Sequence, residues 1–416
     1  MIKLIHFKST YLFLFLLFNF QLISCNSKVP VSPKTSQQKN LLPLNEKAKI
    51  DTIITGAELT ELYLPLLNDK NIAVVANQTS VIKVTAKNNF VHLVDSLLSL
   101  SVKIKKVFAP EHGFRGKADA GELIKDGVDS KTKLPIISLY GKNKKPSKAQ
   151  LANIDLVLFD IQDVGARFYT YISTLHYVME ACAELNIPLI ILDRPNPNAH
   201  YIDGPVLEKA HSSFVGMHKV PVVYGMTIGE YGKMINGEQW LKAGVKTNLT
   251  VIPVQNYAHN TPYSLPIKPS PNLPNDKSIN LYPSLCFFEG TRVSAGRGTN
   301  KQFQIYGAPF LKGYTFTFTP KANEGAKYPK FKDRVCYGED LSKENTLSKI
   351  NISYLIKAYN QKGNEQFFND FFTKLAGTKK LQEQIEKGFT EQEIRESWAK
   401  GIRNFKKIRK KYLIYK

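Results

Sequence analysis

Cysteine is scarce in this chain: four in 416 residues, at Cys25, Cys182, Cys286 and Cys336. No CxxC pair and no Cys/His spacing of a zinc site occurs, so neither a disulfide framework nor a structural metal module is expected. Acidic residues are few as well, 35 against 57 lysines and arginines, for a net charge of +22 and an isoelectric point near 9.6. Such a balance suits nucleic acid, an anionic membrane surface or an anionic substrate. The lysines are scattered, however, and no RNP, zinc-finger or basic-helix signature accompanies them, which argues against nucleic acid. Phosphate loops of the GxGxxG or GxxxxGK[ST] type are missing, as are a GxSxG elbow and an HExxH helix. Nucleotide binding, serine-hydrolase chemistry and zinc-peptidase chemistry therefore lack their usual sequence support. Finally, the apolar run YLFLFLLFNFQLI (Tyr11–Ile23) is too brief for a comfortable membrane span.

What is present begins at that run. Lys3 and Lys8 precede it, and Leu22-Ile23-Ser24-Cys25 follows it. The arrangement resembles the lipobox of bacterial lipoproteins, with cleavage before the cysteine. Residues 1–24 read as a signal peptide, and Cys25 as a lipidated anchor holding the chain outside the cytoplasmic membrane. An ordinary secretory signal is the alternative. Residues 25–52, rich in Pro, Ser and Lys, read as a flexible linker.

Beyond residue 53 short β-rich runs alternate with amphipathic stretches. Strands are expected over Asn71–Thr79, Val102–Pro110, Pro135–Gly141, Ile154–Gln162, Ile187–Pro197 and Leu249–Val254. Helices are expected over residues 88–101, from Tyr171 to Leu185, and over Met226–Leu241. Continuous apolar strands alternating with helices predict an α/β fold, a doubly wound and mostly parallel sheet covered on both faces. Cys182 falls on the apolar stripe of its helix and reads as core. After KPSPNLPND (Lys268–Asp276) the alternation is lost, so residues 53–267 are assigned to the sheet domain and 268–416 to a second, smaller α+β domain.

Open sheets of this kind bind ligands beyond the carboxyl ends of their strands. Polar clusters stand there: Asn77-Gln78-Thr79, Glu111-His112-Gly113, Asp160 through Asp163, and Asp193-Arg194-Pro195-Asn196. Two carboxyl groups flanking a bond are the usual equipment for glycoside hydrolysis, one donating a proton and one acting at the anomeric carbon. Glu111 is the candidate donor, with Asp160 or Asp163 as the second group and Glu122 and Glu289 in reserve. Either aspartate can instead pair with Arg167 as structure. His112 can orient Glu111, contact substrate or simply be structural. Asn77, Gln162 and Asn196 are candidate substrate contacts. Arg115, Arg167, Arg194, Arg292 and Arg297 can clamp an anion, and Phe168, Tyr169 and Tyr171 can offer faces to a sugar ring. A divalent metal held by His112, Asp160, Asp163 and Asp193 is the rival arrangement, although no metal or cofactor is expected.

The blocks EHGFRG, AGE, SLYG, FDIQDVGARFYTYISTL, LDRPNP, DGPVL, GMTIGE, PSPNLP, EGTRVSAGRGT and GAP occur in this order, with FKKIRKKYLIY at the end. Together they closely resemble the DUF1343 family, which includes the NamZ-type exo-β-N-acetylmuramidases. The resemblance implies a Rossmann-like catalytic domain, a smaller auxiliary domain and an active cleft between them. It also implies release of N-acetylmuramic acid from non-reducing ends of peptidoglycan fragments, with Glu111 catalytic. The partners expected are muramic-acid saccharides or muropeptides, and a membrane through Cys25. A metal-assisted hydrolase of another wall component, or a non-catalytic wall-binding lipoprotein, are the rivals.

Overall fold

A computed structural model describes residues 52–84, 89–115 and 126–416. The signal peptide, most of the linker with Cys25, and Glu122 lie outside the described residues.

Strands β1 (Ile72–Ala76), β4 (Ile104–Ala109), β6 (Pro135–Ser138), β7 (Leu156–Asp160), β8 (Leu189–Leu192) and β9 (Leu249–Ile252) form a parallel sheet, edged by antiparallel β5 (Gly127–Val128). Their order is β5-β6-β4-β1-β7-β8-β9. The chain thus steps outward from β1 through β4 to β6, then returns to β7 and steps the other way. That is the dinucleotide-fold order, with its switch point between β1 and β7.

The central strands β1, β7 and β8 are buried at every position because both faces of the sheet are covered. Ala73, Val75, Phe108, Val157, Phe159 and Ile191 enter one core, with helices α3 (Tyr171–Glu184) and α4 (Ile228–Gly237). Their neighbours Ile72, Val74, Val107, Leu158 and Ile190 enter the other, with α1 (Thr60–Leu67) and α2 (Leu93–Ser99). Each such side chain withdrawn from water contributes roughly 1.5–3 kcal/mol. Cys182 lies in the first core, and Cys182, Cys286 and Cys336 are unpaired thiols.

One local expectation fails. The stretch read as a helix from residue 88 begins as a strand: β2 (Val81–Val84) and β3 (Asn89–His92) make an antiparallel hairpin. His92 ends it, its Nε2 meeting the Asn77 carbonyl and its Nδ1 accepting from Val94 N, so the helix starts only at Leu93. The strand expected to reach Thr79 also stops early. The Asn77 side chain accepts from Thr79 N at 2.9 Å and turns the backbone.

The second part holds α5 (Asp276–Leu285), a small antiparallel sheet of β10 (Ile305–Ala308), β12 (Cys336–Asp340) and β11 (Phe316–Phe318), and α6 (Ser353–Asn360), α7 (Phe371–Ala376), α8 (Lys380–Glu386) and α9 (Glu391–Arg409). Its apolar residues join the core above the sheet without a break. The described residues form one compact unit.

Candidate active site

The switch-point crevice is filled by the chain itself. Thr79 Oγ1 donates to Asn77 Oδ1 at 2.6 Å and accepts from Gln162 N at 3.0 Å. Ser80 Oγ donates to the Asp160 carbonyl. Space opens instead further along the rim, where β4, β6 and the segment after β7 meet the smaller domain.

There a cavity of about 280 Å³ is walled by Glu111, His112, Tyr140, Phe168, Tyr169 and Thr170 from the sheet domain. Asn272, Tyr282, Glu289, Arg297, Phe303 and Phe371 face them from the second. Glu111 follows β4 directly, and His112 and Gly113 turn the chain through the left-handed region (φ 72 and 78). Two hydroxyls fix the carboxylate: Tyr140 reaches Oε1 at 3.1 Å and Thr170, at the start of α3, reaches Oε2 at 2.9 Å. Burial, with the Glu111 charge beside it, pushes the Tyr140 phenol well above its ordinary range, so it stays protonated. Beneath, Asn77 Nδ2 donates to Tyr171 Oη at 2.8 Å, and Tyr171 Oη lies 3.4 Å from the Glu111 carbonyl. Asn77 is thus a support under the site and does not line it.

On the facing wall Arg297 Nε donates to Glu289 Oε1 at 3.0 Å. Burial alone would raise the Glu289 pKa, but the Arg297 and Lys330 charges outweigh it and hold the carboxyl below its usual range. Tyr169 is fixed by its hydroxyl on the Pro269 carbonyl at 2.8 Å, which ties the aromatic wall to the PSPN loop.

Of the residues singled out from sequence, Glu111, His112, Phe168, Tyr169, Glu289 and Arg297 come together here. The others sit elsewhere. Asp160 is fully buried and paired with Arg194 at 2.6 and 2.9 Å. Asp163 lies under the rim, accepting from Gly165 N and from the Tyr224 hydroxyl. Gln162 Nε2 donates to the Asp163 and Pro195 carbonyls, and Asn196 Nδ2 to the Met226 carbonyl. Arg115 forks between Asp95 and Asp129. Arg292 pairs with Glu365 at an exposed site. Arg167 is wholly buried, donating to the carbonyls of Pro205, Val220, Leu375 and Ala376 at 2.7–2.9 Å. His112, Asp160, Asp163 and Asp193 are not gathered as a metal group among the described residues. Tyr140 and Thr170 are not among the residues singled out from sequence, although Tyr140 stands two residues past β6 in SLYG and Thr170 opens α3 in FYTYIST.

Fold and cavity together define a Rossmann-type α/β protein whose rim cavity, furnished with carboxylates, aromatic faces and one arginine, is closed by a smaller α+β domain. Residues 72–277 match the family described as exo-beta-N-acetylmuramidase NamZ, N-terminal, and residues 280–415 its C-terminal counterpart. The chain belongs to this family. It is 37% identical over 401 residues to the peptidoglycan beta-N-acetylmuramidase NamZ of Bacillus subtilis, covering 89% of this chain and 93% of that one. Two crystal structures of DUF1343 family proteins from Bacteroides fragilis are similar, each covering 88% of this chain and 99% of theirs. One has a TM-score of 0.80 at 45% identity, the other 0.75 at 30%.

Proposed function

We propose that the protein is an exo-acting glycosidase that releases N-acetylmuramic acid from the non-reducing ends of peptidoglycan fragments, with Glu111 as proton donor. The observation that carries this reading is a glutamate fixed by two hydroxyls in a small aromatic cavity. At about 280 Å³ the cavity falls just below the ~300–1,000 Å³ of drug-sized pockets, room for a terminal sugar and not for a chain. The B. subtilis relative's name, a peptidoglycan beta-N-acetylmuramidase, supports the same substrate.

In the reaction the bond between the anomeric carbon and the leaving oxygen breaks. Glu111 gives its proton to that oxygen, water supplies the hydroxyl that ends on the anomeric carbon, and the remaining proton of that water restores the Glu111 carboxyl. Tyr140 and Thr170 can donate to the ionised carboxylate and accept from the protonated one, since hydroxyls rotate to suit. Glu289, kept ionised by Arg297 and Lys330, is the second carboxylate that lines the cavity.

Glu111→Gln keeps shape but cannot donate a proton. The natural muramic-acid–glucosamine disaccharide should lose about 10²–10⁴-fold in rate. A nitrophenyl muramide, whose aglycone leaves without protonation, should lose far less at that step. Equal collapse on both substrates would make Glu111 the nucleophile or base, and no change on either would make the loop structural.

The lipobox at Leu22–Cys25 supports a lipoprotein anchored outside the cytoplasmic membrane. Cys25→Ala should move the protein from the membrane fraction to the soluble one. Unchanged retention would overturn the anchor.

A further inference from the structure

Arg297 is built into its place with unusual stiffness. It sits between Gly296 and Gly298, both left-handed at φ 78. A Cβ on Gly296 would come within 2.8 Å of the Lys301 carbonyl oxygen, and one on Gly298 within 2.6 Å of the Lys321 carbonyl oxygen. Phe303, whose ring lies 5.2 Å from the guanidinium carbon, is itself left-handed at φ 51. For a bulky residue that is a strained conformation, the kind that collects at ligand sites. Glu289 occupies the Nε edge of the guanidinium. Among the described residues no protein group accepts from its two terminal nitrogens.

Charge on this wall does not balance. Lys330 is half-buried on the same wall, its ammonium donating to the carbonyls of Phe288, Glu289, Thr291 and Val293 at 2.7–3.3 Å. Two cations, Arg297 and Lys330, therefore stand beside one anion, Glu289, on a half-buried wall. An uncompensated positive charge there favours an incoming anion strongly.

We infer that Arg297 is the residue that reads the lactyl carboxylate of muramic acid, the one feature that separates this sugar from N-acetylglucosamine. The inference rests on the muramidase reading above and names its specificity determinant. A carboxylate is planar and two-pronged, and so is the exposed edge of a guanidinium. The other arginines beside polar loops are already committed to carboxylates or carbonyls of the chain.

Titration calorimetry with N-acetylmuramic acid, its lactyl methyl ester and N-acetylglucosamine tests this on the soluble protein. A charge-assisted two-pronged bond should make the wild type bind the acid about 10- to 100-fold more tightly than the two neutral ligands. Arg297→Met should erase that preference while leaving the weak binding of the neutral ligands in place. If Arg297→Met does not fold, Arg297→Lys decides. It keeps the charge and loses the fork, so the preference should fall severalfold. A preference unchanged in a folded variant overturns the assignment of Arg297 alone. A wild type that neither binds the acid nor turns over a nitrophenyl muramide would sink the muramidase reading instead.

Discussion

Asp163 holds its charge badly. One carboxylate oxygen accepts from Gly165 N at 2.7 Å and from Tyr224, while the other is buried with no partner among the described residues. Burial pushes its pKa up from 3.8 to about 6. Between those two values the folded chain holds a proton that the unfolded chain has released, so stability falls as pH rises through this window. By neutral pH the loss amounts to about 3 kcal/mol. Asp163→Asn has no such proton to lose. Relative to the wild type it should gain about 2 kcal/mol between pH 4 and pH 7, measured from urea midpoints at the two pH values. Parallel profiles would mean that Asp163 stays ionised. This residue also marks the limit of what sequence conveys at this scale. Glu111 was legible because a proline, a histidine and a glycine crowd it just past a strand. Asp160 and Asp163 stand past a strand in the same way, yet one meets Arg194 and the other Tyr224, partners brought by loops 34 and 61 residues away in sequence.

Helix α7 ends on a side chain from another domain. Arg167 donates to the carbonyls of Leu375 and Ala376, the last turn of the helix, where a cation is favoured by the helix dipole. Gly377 then leaves the helix at φ 72, and a Cβ there would press to 2.7 Å on the guanidinium. Arg167→Met should take a donor from four buried carbonyls, of which only Val220 keeps another, Leu207 N, and lower stability by about 3–5 kcal/mol, read from denaturant midpoints at constant m. A loss below 1 kcal/mol would show that water replaces the guanidinium. Among the elements, the parallel sheet was readable because β1 and β8 are apolar at every position, β7 at all but its last residue, Asp160, and β4 at all but Lys105 and Lys106. The hairpin β2–β3 was not, since the spacing of Phe90, Leu93, Val94, Leu97 and Leu98 suits a helix until His92 binds the Asn77 carbonyl.

At the scale of the whole molecule, the sheet domain and its smaller companion share a core that runs from Ala73 to Phe405. A shared core couples their unfolding, so calorimetry of the soluble protein should give one transition with matching calorimetric and van't Hoff enthalpies. Two resolved transitions would separate the domains. The change of pattern after Lys268 marked the second domain in the sequence, but nothing in a linear chain records how tightly two halves pack. The two ends of the described chain add to the coupling. Gly56 N donates to the Asp193 carbonyl at 2.9 Å, and the Tyr415 hydroxyl to Asp193 Oδ2 at 2.6 Å. Tyr415→Phe should shift that transition as a whole, by an amount equivalent to about 1–3 kcal/mol. A new early shoulder would show that only the tail loosens.

The clasp of Arg167 on α7 also sets how a ligand gets in and out. Opening the cavity by swinging the smaller domain away would break the Arg167 bonds to Leu375 and Ala376 and bare the shared apolar core to water, a penalty of several kcal/mol. Sugars must therefore pass through the standing mouth, without a gate. Stopped-flow mixing should show one binding phase whose observed rate climbs linearly with saccharide concentration, with no plateau from a slow isomerisation. Release of product from such a fixed vestibule is set by the contacts that hold the sugar, so a variant that weakens those contacts should empty faster.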